Sequence, residues 1–288
     1  MNSERIKKIF IYMLIAVNIG LFYLNYQNRQ KYILSSANEK AVYQVLSENG
    51  IGMYTDIIKH SYPMRQLSVS IPSFDNDMLK KRFFDSGEDV KISLEFDRTM
   101  LVSDKKNITL KGNSLYFSCP DGTGEIEDFS KKTAEKAAND FIQKLVLDKG
   151  NEITLEKITS DNENYTFVYS ESFKSNKLFC SNKSVTVAKT GIVNAEAKYY
   201  TAIGFWGLKQ DICSCDEALL TMLHEIKKSG SAKEGMYVEN IELGYDFEDS
   251  LESTDITGIR LVPCYRIYVS GIEYPFIINA YTNSIIGH

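Results

Sequence analysis

Residues 9–26 read IFIYMLIAVNIGLFYLNY; every position except Asn18, Gly20 and Asn25 is apolar or aromatic, and none is charged. As a helix this stretch extends about 27 Å, close to the hydrocarbon thickness of a bilayer. A helix that is apolar on all sides must be covered on all sides, and lipid does this without a protein partner. The expectation is a short tail at 1–8 followed by a transmembrane helix at 9–26. A cleaved signal peptide would have a shorter apolar core and a small-x-small site just beyond it. The best such site, Ser35-Ser36-Ala37, lies too far downstream. Arg5, Lys7 and Lys8 precede the span while Arg29 and Lys31 follow it. That small excess predicts a cytoplasmic N-terminus and an extracytoplasmic main part, with a cell-membrane location.

Two features of the span go beyond anchoring. Asn18 falls at its middle, and Asn25 lies further along the same helical stripe. An amide in lipid seeks a partner across a helix–helix contact. On another face Ala16 and Gly20 form a small-xxx-small pair that admits a second backbone closely. Ala16, Asn18, Gly20 and Asn25 are therefore the candidate transmembrane interaction residues. Asn25 also fits a headgroup-level position beside Tyr23 and Tyr26.

The rest of the chain is globular in composition, with 43% hydrophobic and 25% charged residues among 288. Tyr 18 and Phe 15 against only 5 Pro point to much β-structure. Net charge is −5, and since residues 1–26 are net basic the remainder carries −7. An acidic domain argues against nucleic acid as a partner. The cysteines, at 119, 180, 213, 215 and 264, are odd in number and lack the spacing of a small disulfide scaffold. Cys213 and Cys215 form one close pair, whereas a structural zinc site needs four ligands. His60, His224 and His288 do not supply the missing ones, so no metal and no cofactor is expected.

In chain order, Ser36 with Glu39 forms a capping-box pattern ahead of Ala41, Val42, Val45 and Leu46 at helical spacing. Alternation over 67–71 predicts a strand ended by Pro72. Asp75 is placed to cap a short helix carrying Met78, Leu79, Arg82 and Phe83. Val90, Ile92, Leu94 and Phe96 alternate with polar residues, which predicts a half-buried strand, and two further strands follow by residue 119. Residues 120–124, PDGTG, are the strongest break and are taken as a domain boundary. An N-terminal α+β domain is thus expected over 36–122 and a second domain over 128–288.

The second domain reads as two copies, at about 128–198 and 213–286. Each has a helix, several strands and a turn leading into an Ile. The first helix carries Ala134, Ala137, Ala138, Phe141, Ile142 and Leu145 on one face and is expected to end near Lys149. The second starts with a Ser214/Glu217 capping box and carries Ala218, Leu219, Met222, Leu223 and Ile226. Gly191 and Asn283 are residue types that tolerate the left-handed turn each copy needs. The fold class is α+β: antiparallel sheet with helices, behind a transmembrane helix.

The second copy resembles the PepSY type of module, through Asp216-Glu217-Ala218-Leu219 opening the helix, residues 261–267 (LVPCYRI) and residues 278–285 (INAYTNSI). Asn279 and Asn283 stand where that module usually has Asp and Gly. A basic tail, one span, a small α+β domain and tandem PepSY-like units together resemble the YycI (WalI) family. That family comprises extracytoplasmic regulators of the essential cell-wall two-component system of low-GC Gram-positive bacteria. The resemblance implies a non-enzymatic regulator that pairs with a YycH-like protein and contacts a sensor histidine kinase of the YycG (WalK) type, with membrane helices contributing. It carries over no catalytic residues.

The residues agree with a non-enzyme. There is no Gly-x-Ser-x-Gly elbow, His-Glu-x-x-His or phosphate-binding glycine loop. Asp246, Glu248 and Asp249 read as a solvated acidic loop. His224 reads as a surface or boundary residue and His60 as a loop residue. Phe205 and Trp206, in the GFWGL segment at 204–208, have two readings: core between the repeats, or a partner surface. The competing function is a PepSY-type inhibitor or chaperone of an extracellular peptidase or wall hydrolase.

Overall fold

In chain order the elements begin with α1 (Ser3–Gln30), α2 (Ser36–Glu48), β1 (Ile51–Met53), β2 (Met64–Ser70) and α3 (Asn76–Phe83). A run of strands follows: β3 (Lys91–Glu95), β4 (Arg98–Val102), β5 (Asn107–Lys111) and β6 (Ser114–Ser118). Then come α4 (Lys131–Leu145), β7 (Glu152–Ser160), β8 (Asn164–Phe173), β9 (Asn176–Ala188), β10 (Gly191–Lys198) and β11 (Thr201–Gln210). Last are α5 (Cys215–Lys228), β12 (Met236–Asp246), β13 (Ile259–Val269), β14 (Phe276–Asn279) and β15 (Ser284–Ile285). The structure is a computed structural model describing residues 3–147, 150–161, 163–231, 233, 235–248 and 258–286, without the side chains of 3–6 and 28. Lys149, Asp249 and His288 lie outside the described residues. The fold is α+β, with an N-terminal apolar helix and a large, mainly antiparallel sheet.

Two compact units divide the chain. One comprises Met1–Met64, Leu208–Glu242 and Pro263–Ile286. Its helix α2 is capped by the Ser35 side chain, which accepts from Asn38 N, so the cap lies one residue before the Ser36 expected. Val42 and Leu46 are the positions α2 buries, and α5 buries Ala218, Leu219, Met222, Leu223 and Ile226 as its periodicity predicts. At the start of α5 the Glu217 carboxylate accepts from Ser214 N at 2.9 Å. β1 runs parallel to the first part of β12, while β14 pairs antiparallel with both β13 and β15. Asn283 adopts the left-handed conformation, with φ 52°.

The other unit consists chiefly of Arg65–Gly207 and Leu243–Val262. Here β3, β4, β5, β6, β10, β9, β8 and β7 are neighbours in that order, every pair antiparallel. Leu79 and Phe83 from α3, with Ala138, Phe141 and Ile142 from α4, join Leu101, Ile108, Leu115, Phe117 and Val185 in one core. The rings of Phe83, Phe117 and Phe141 meet at centroid distances of 5.0–5.8 Å. Asp75 caps α3 as expected. Arg82 Nη1 donates to Val146 O at 2.7 Å, placing a cation on the carbonyl end of α4.

Several expectations need correction. Helix α1 starts by Ser3, so most of the expected tail is helical. Helix α4 ends at Leu145, short of Lys149. β11 covers residues for which no strand was expected, because its glycines and exposed residues break the alternation. β3 is a strand, but all five of its residues are exposed rather than half-buried. The break at 120–124 is a clasp instead of a linker: Gly124 N donates to Thr190 O and Ile126 N to Lys189 O. Gly122 has φ +79°, and a Cβ there would lie 2.1 Å from Thr190 O, so only glycine allows the approach. With β6 paired directly to β10, the residues before and after this break share one sheet and one core.

Candidate interaction surfaces

Along α1, residues Lys7–Gln27 are long and apolar enough to cross a bilayer, and none of this stretch is buried by the rest of the chain. Asn18 Nδ2 donates to Leu14 O at 2.9 Å, so one amide hydrogen is satisfied inside the helix. Its carbonyl oxygen has no partner among the described residues and can accept from another helix. A Cβ added at Gly20 would meet nothing within 4 Å. Ala16 and Asn25 are exposed as well. The four residues share one helix on two faces.

The end of α1 is tied to the unit that contains it. Leu34 N donates to Lys59 O at 2.8 Å, Ser61 N donates to Tyr32 O at 2.9 Å, and Ile33 bridges to His60. Tyr32 Oη donates to Asp211 Oδ1 at 3.0 Å, and Lys31 Nζ lies 3.3 Å from Asp211 Oδ2. The Tyr62 ring stacks on His60 and meets Tyr32 edge-on. The exposed ion pair contributes little, whereas the backbone pairing fixes the chain direction. Asp211 lies 179 residues from Tyr32, so no local pattern could have revealed this joint.

On β11 the aromatic pair splits. Phe205 is half-buried, with its ring 5.7 Å from Phe173 and 6.2 Å from Tyr245. Trp206 is 48% exposed, so the core reading does not describe it. The Arg260 guanidinium lies 3.6 Å from its ring centroid, a cation–π stack that holds the indole on the surface.

The model of the family described as YycI protein matches residues 29–281. The chain belongs to the YycI family. Membership carries a regulatory role in the YycG/WalK two-component system, and α1 fits membrane anchoring. No curated protein sequence matches it. Among solved structures, an uncharacterised protein from Eubacterium rectale is similar over 83% of this chain and 90% of its own, with TM-score 0.54 and 13% identity; it shares the fold. The C-terminal domain of Bacillus megaterium YpeB aligns over 74% of this chain and 96% of its own, at TM-score 0.41 and 11% identity.

His60 and His224 are exposed, and no group of three or more potential metal ligands occurs among the described residues. No disulfide joins the cysteines among the described residues. Burial pushes the Cys213 and Cys215 thiols up to about 12, which keeps them protonated and poor nucleophiles. The deepest charges are Glu171 and Lys183, 4% and 2% exposed and in direct contact. Glu171 Oε2 also accepts from Ser181 Oγ and Asn151 Nδ2, each at 2.7 Å. Burial pulls the Lys183 ammonium down from its ordinary value, and the Glu171 carboxylate in contact with it acts in the opposite sense. A groove of about 750 Å³ is lined by Asp85, Glu88, Lys106 and Gly122. There Lys106 Nζ lies 2.7 Å from both carboxylates and brings Glu88 down to about 2.

Proposed function

We propose that this chain is a non-enzymatic, membrane-anchored regulator that binds a sensor histidine kinase of the YycG/WalK type, together with a YycH-like partner. Its N-terminus is cytoplasmic and its folded units are extracytoplasmic. The observation that carries the reading is α1: an uncovered apolar helix whose end is hydrogen-bonded into a folded unit within four residues of its last turn. Such a helix is both anchor and contact surface. Asn18 offers an acceptor, while Ala16 and Gly20 offer close approach. Regulation follows if the contact favours one kinase conformation over another, since a partner shifts an equilibrium only by its difference in affinity for the two states. Phe205 and Trp206 are the proposed partner surface outside the membrane.

The test is site-specific cross-linking to the kinase in membranes, comparing Asn18→Leu and Gly20→Leu with the unsubstituted chain. Each is expected to reduce association several-fold. Unchanged association in both rules out the helix contact. Replacing α1 by an unrelated span is expected to abolish regulation; if regulation survives, the folded units act alone, as an inhibitor or chaperone of an extracellular hydrolase would.

A further inference from the structure

β3 ends the sheet: among the described residues it pairs with β4 and with nothing on its other side. Its residues are Lys91, Ile92, Ser93, Leu94 and Glu95, all exposed. Protein edges are normally guarded by a bulge, a proline or repelling charges. Here the register with β4 is unbroken from Lys91↔Val102 to Glu95↔Arg98, with no proline. Ile92 is opposite Leu101 and Leu94 opposite Thr99, so both lie on the face that carries the buried Leu101 and Ile108. That apolar row runs out uncovered at the edge, with Ile92 46% and Leu94 79% exposed.

The hydrogen-bonding parity can be read from the hairpin. Glu95 and Arg98 close a two-residue turn, so residues 95, 93 and 91 direct their backbone groups toward β4. Ile92 and Leu94 therefore direct theirs outward. An antiparallel partner can bond to this edge only through its own outward residues. If that partner is another β3, a register centred on Ser93 meets the requirement. It sets Ile92 against Leu94′ and Leu94 against Ile92′, forming four backbone hydrogen bonds. It also sets Lys91 against Glu95′ and Glu95 against Lys91′, so both ends carry opposite charges. The five residues are complementary to their own reverse.

We propose that β3 is a dimerisation edge, pairing antiparallel with β3 of a second copy about a two-fold axis at Ser93. An unrelated extended segment could use the same backbone groups, but it would not account for a Lys and a Glu placed symmetrically about the central Ser. The interface is short and hence weak in dilute solution; confinement to a membrane raises the effective concentration enough to populate it.

The test uses the full chain purified and reconstituted in lipid vesicles. Facing Ser93 residues form a non-hydrogen-bonded pair with Cα atoms about 4.5 Å apart, within disulfide reach. Ser93→Cys is expected to give a disulfide-linked dimer on mild oxidation, several-fold above both the unsubstituted chain and exposed Ser86→Cys. Adding Lys91→Glu sets like charges opposite each other twice and is expected to lower the cross-linked fraction about fivefold. Adding Glu95→Lys to that variant is expected to restore it. Cross-linking of Ser93→Cys no greater than of Ser86→Cys, or no recovery in the charge-swapped variant, overturns the proposal. All four positions are exposed, so the substitutions leave the core intact.

Discussion

Removing the Glu171 carboxylate strands a lysine in the core of its unit. In Glu171→Gln the amide still accepts from Ser181 and Asn151, so the hydrogen-bond geometry of the site survives. What is lost is the counter-charge to Lys183, which is 2% exposed. A buried ammonium without a partner releases its proton, and that sets a ceiling on the damage. At pH 7.5, neutralising a lysine that would titrate near 10.4 in the unfolded chain costs about 4 kcal/mol, at 1.36 kcal/mol per pH unit. This agrees with the roughly 3–5 kcal/mol found when one member of a buried pair is removed. The sign of the pH dependence follows. Lys183 is neutral in the folded variant and charged in the unfolded chain, so unfolding takes up a proton and stability rises with pH up to the unfolded pKa. At pH 9.5 the penalty falls to about 1 kcal/mol. Urea unfolding of the full chain in detergent, followed by Trp206 fluorescence from the same unit, measures this directly. The double variant Glu171→Gln/Lys183→Met has no titrating group at the site, so its loss should not change with pH. Either a Glu171→Gln variant within about 1 kcal/mol of the original at pH 7.5, or a gap to the double variant that fails to narrow as pH rises, refutes the reasoning.

Other perturbations have equally definite outcomes. Glu88, held at about 2 by Lys106, contributes stability that is present above its unfolded value of 4.5 and lost as pH falls toward 2. Acid titration of the melting temperature should show that loss, on the order of 1–2 kcal/mol after screening, and Lys106→Met should remove it. Arg82→Ala deprives the end of α4 of its charge-assisted bond and should cost about 1–2 kcal/mol by thermal denaturation; an unchanged melt would mean that solvent replaces it. Gly122→Ala drives a Cβ into Thr190 and should destabilise by more than about 2 kcal/mol. Gly87→Ala has a positive φ of +112° but open space, and should cost only about 1 kcal/mol. Equal losses for the two would show that the clasp is not close-packed.

The helices were legible because a single face has to be buried whatever lies against it. The apolar positions of α4 and α5 named their buried residues almost one for one. Asp75, Ser214 with Glu217, Gly191 and Asn283 were readable for a similar reason, since capping and left-handed turns are local chemistry. The strands misled where alternation was taken as proof of burial. β3 has the pattern of a half-buried strand, but its place at the end of the sheet leaves it bare, and strand order is a property of partners far along the chain. PDGTG looked like a domain boundary because glycine and proline mark turns, yet Gly122 serves close backbone approach to Thr190. The Glu171–Lys183 contact and the Tyr32–Asp211 joint join residues with no shared local pattern. By itself the sequence determined the membrane helix, the α+β class and the faces of the helices, because those follow from periodicity and length. Only the tertiary structure decided which strand is an edge, which charges are buried together and where the membrane helix is held, because each depends on long-range pairing.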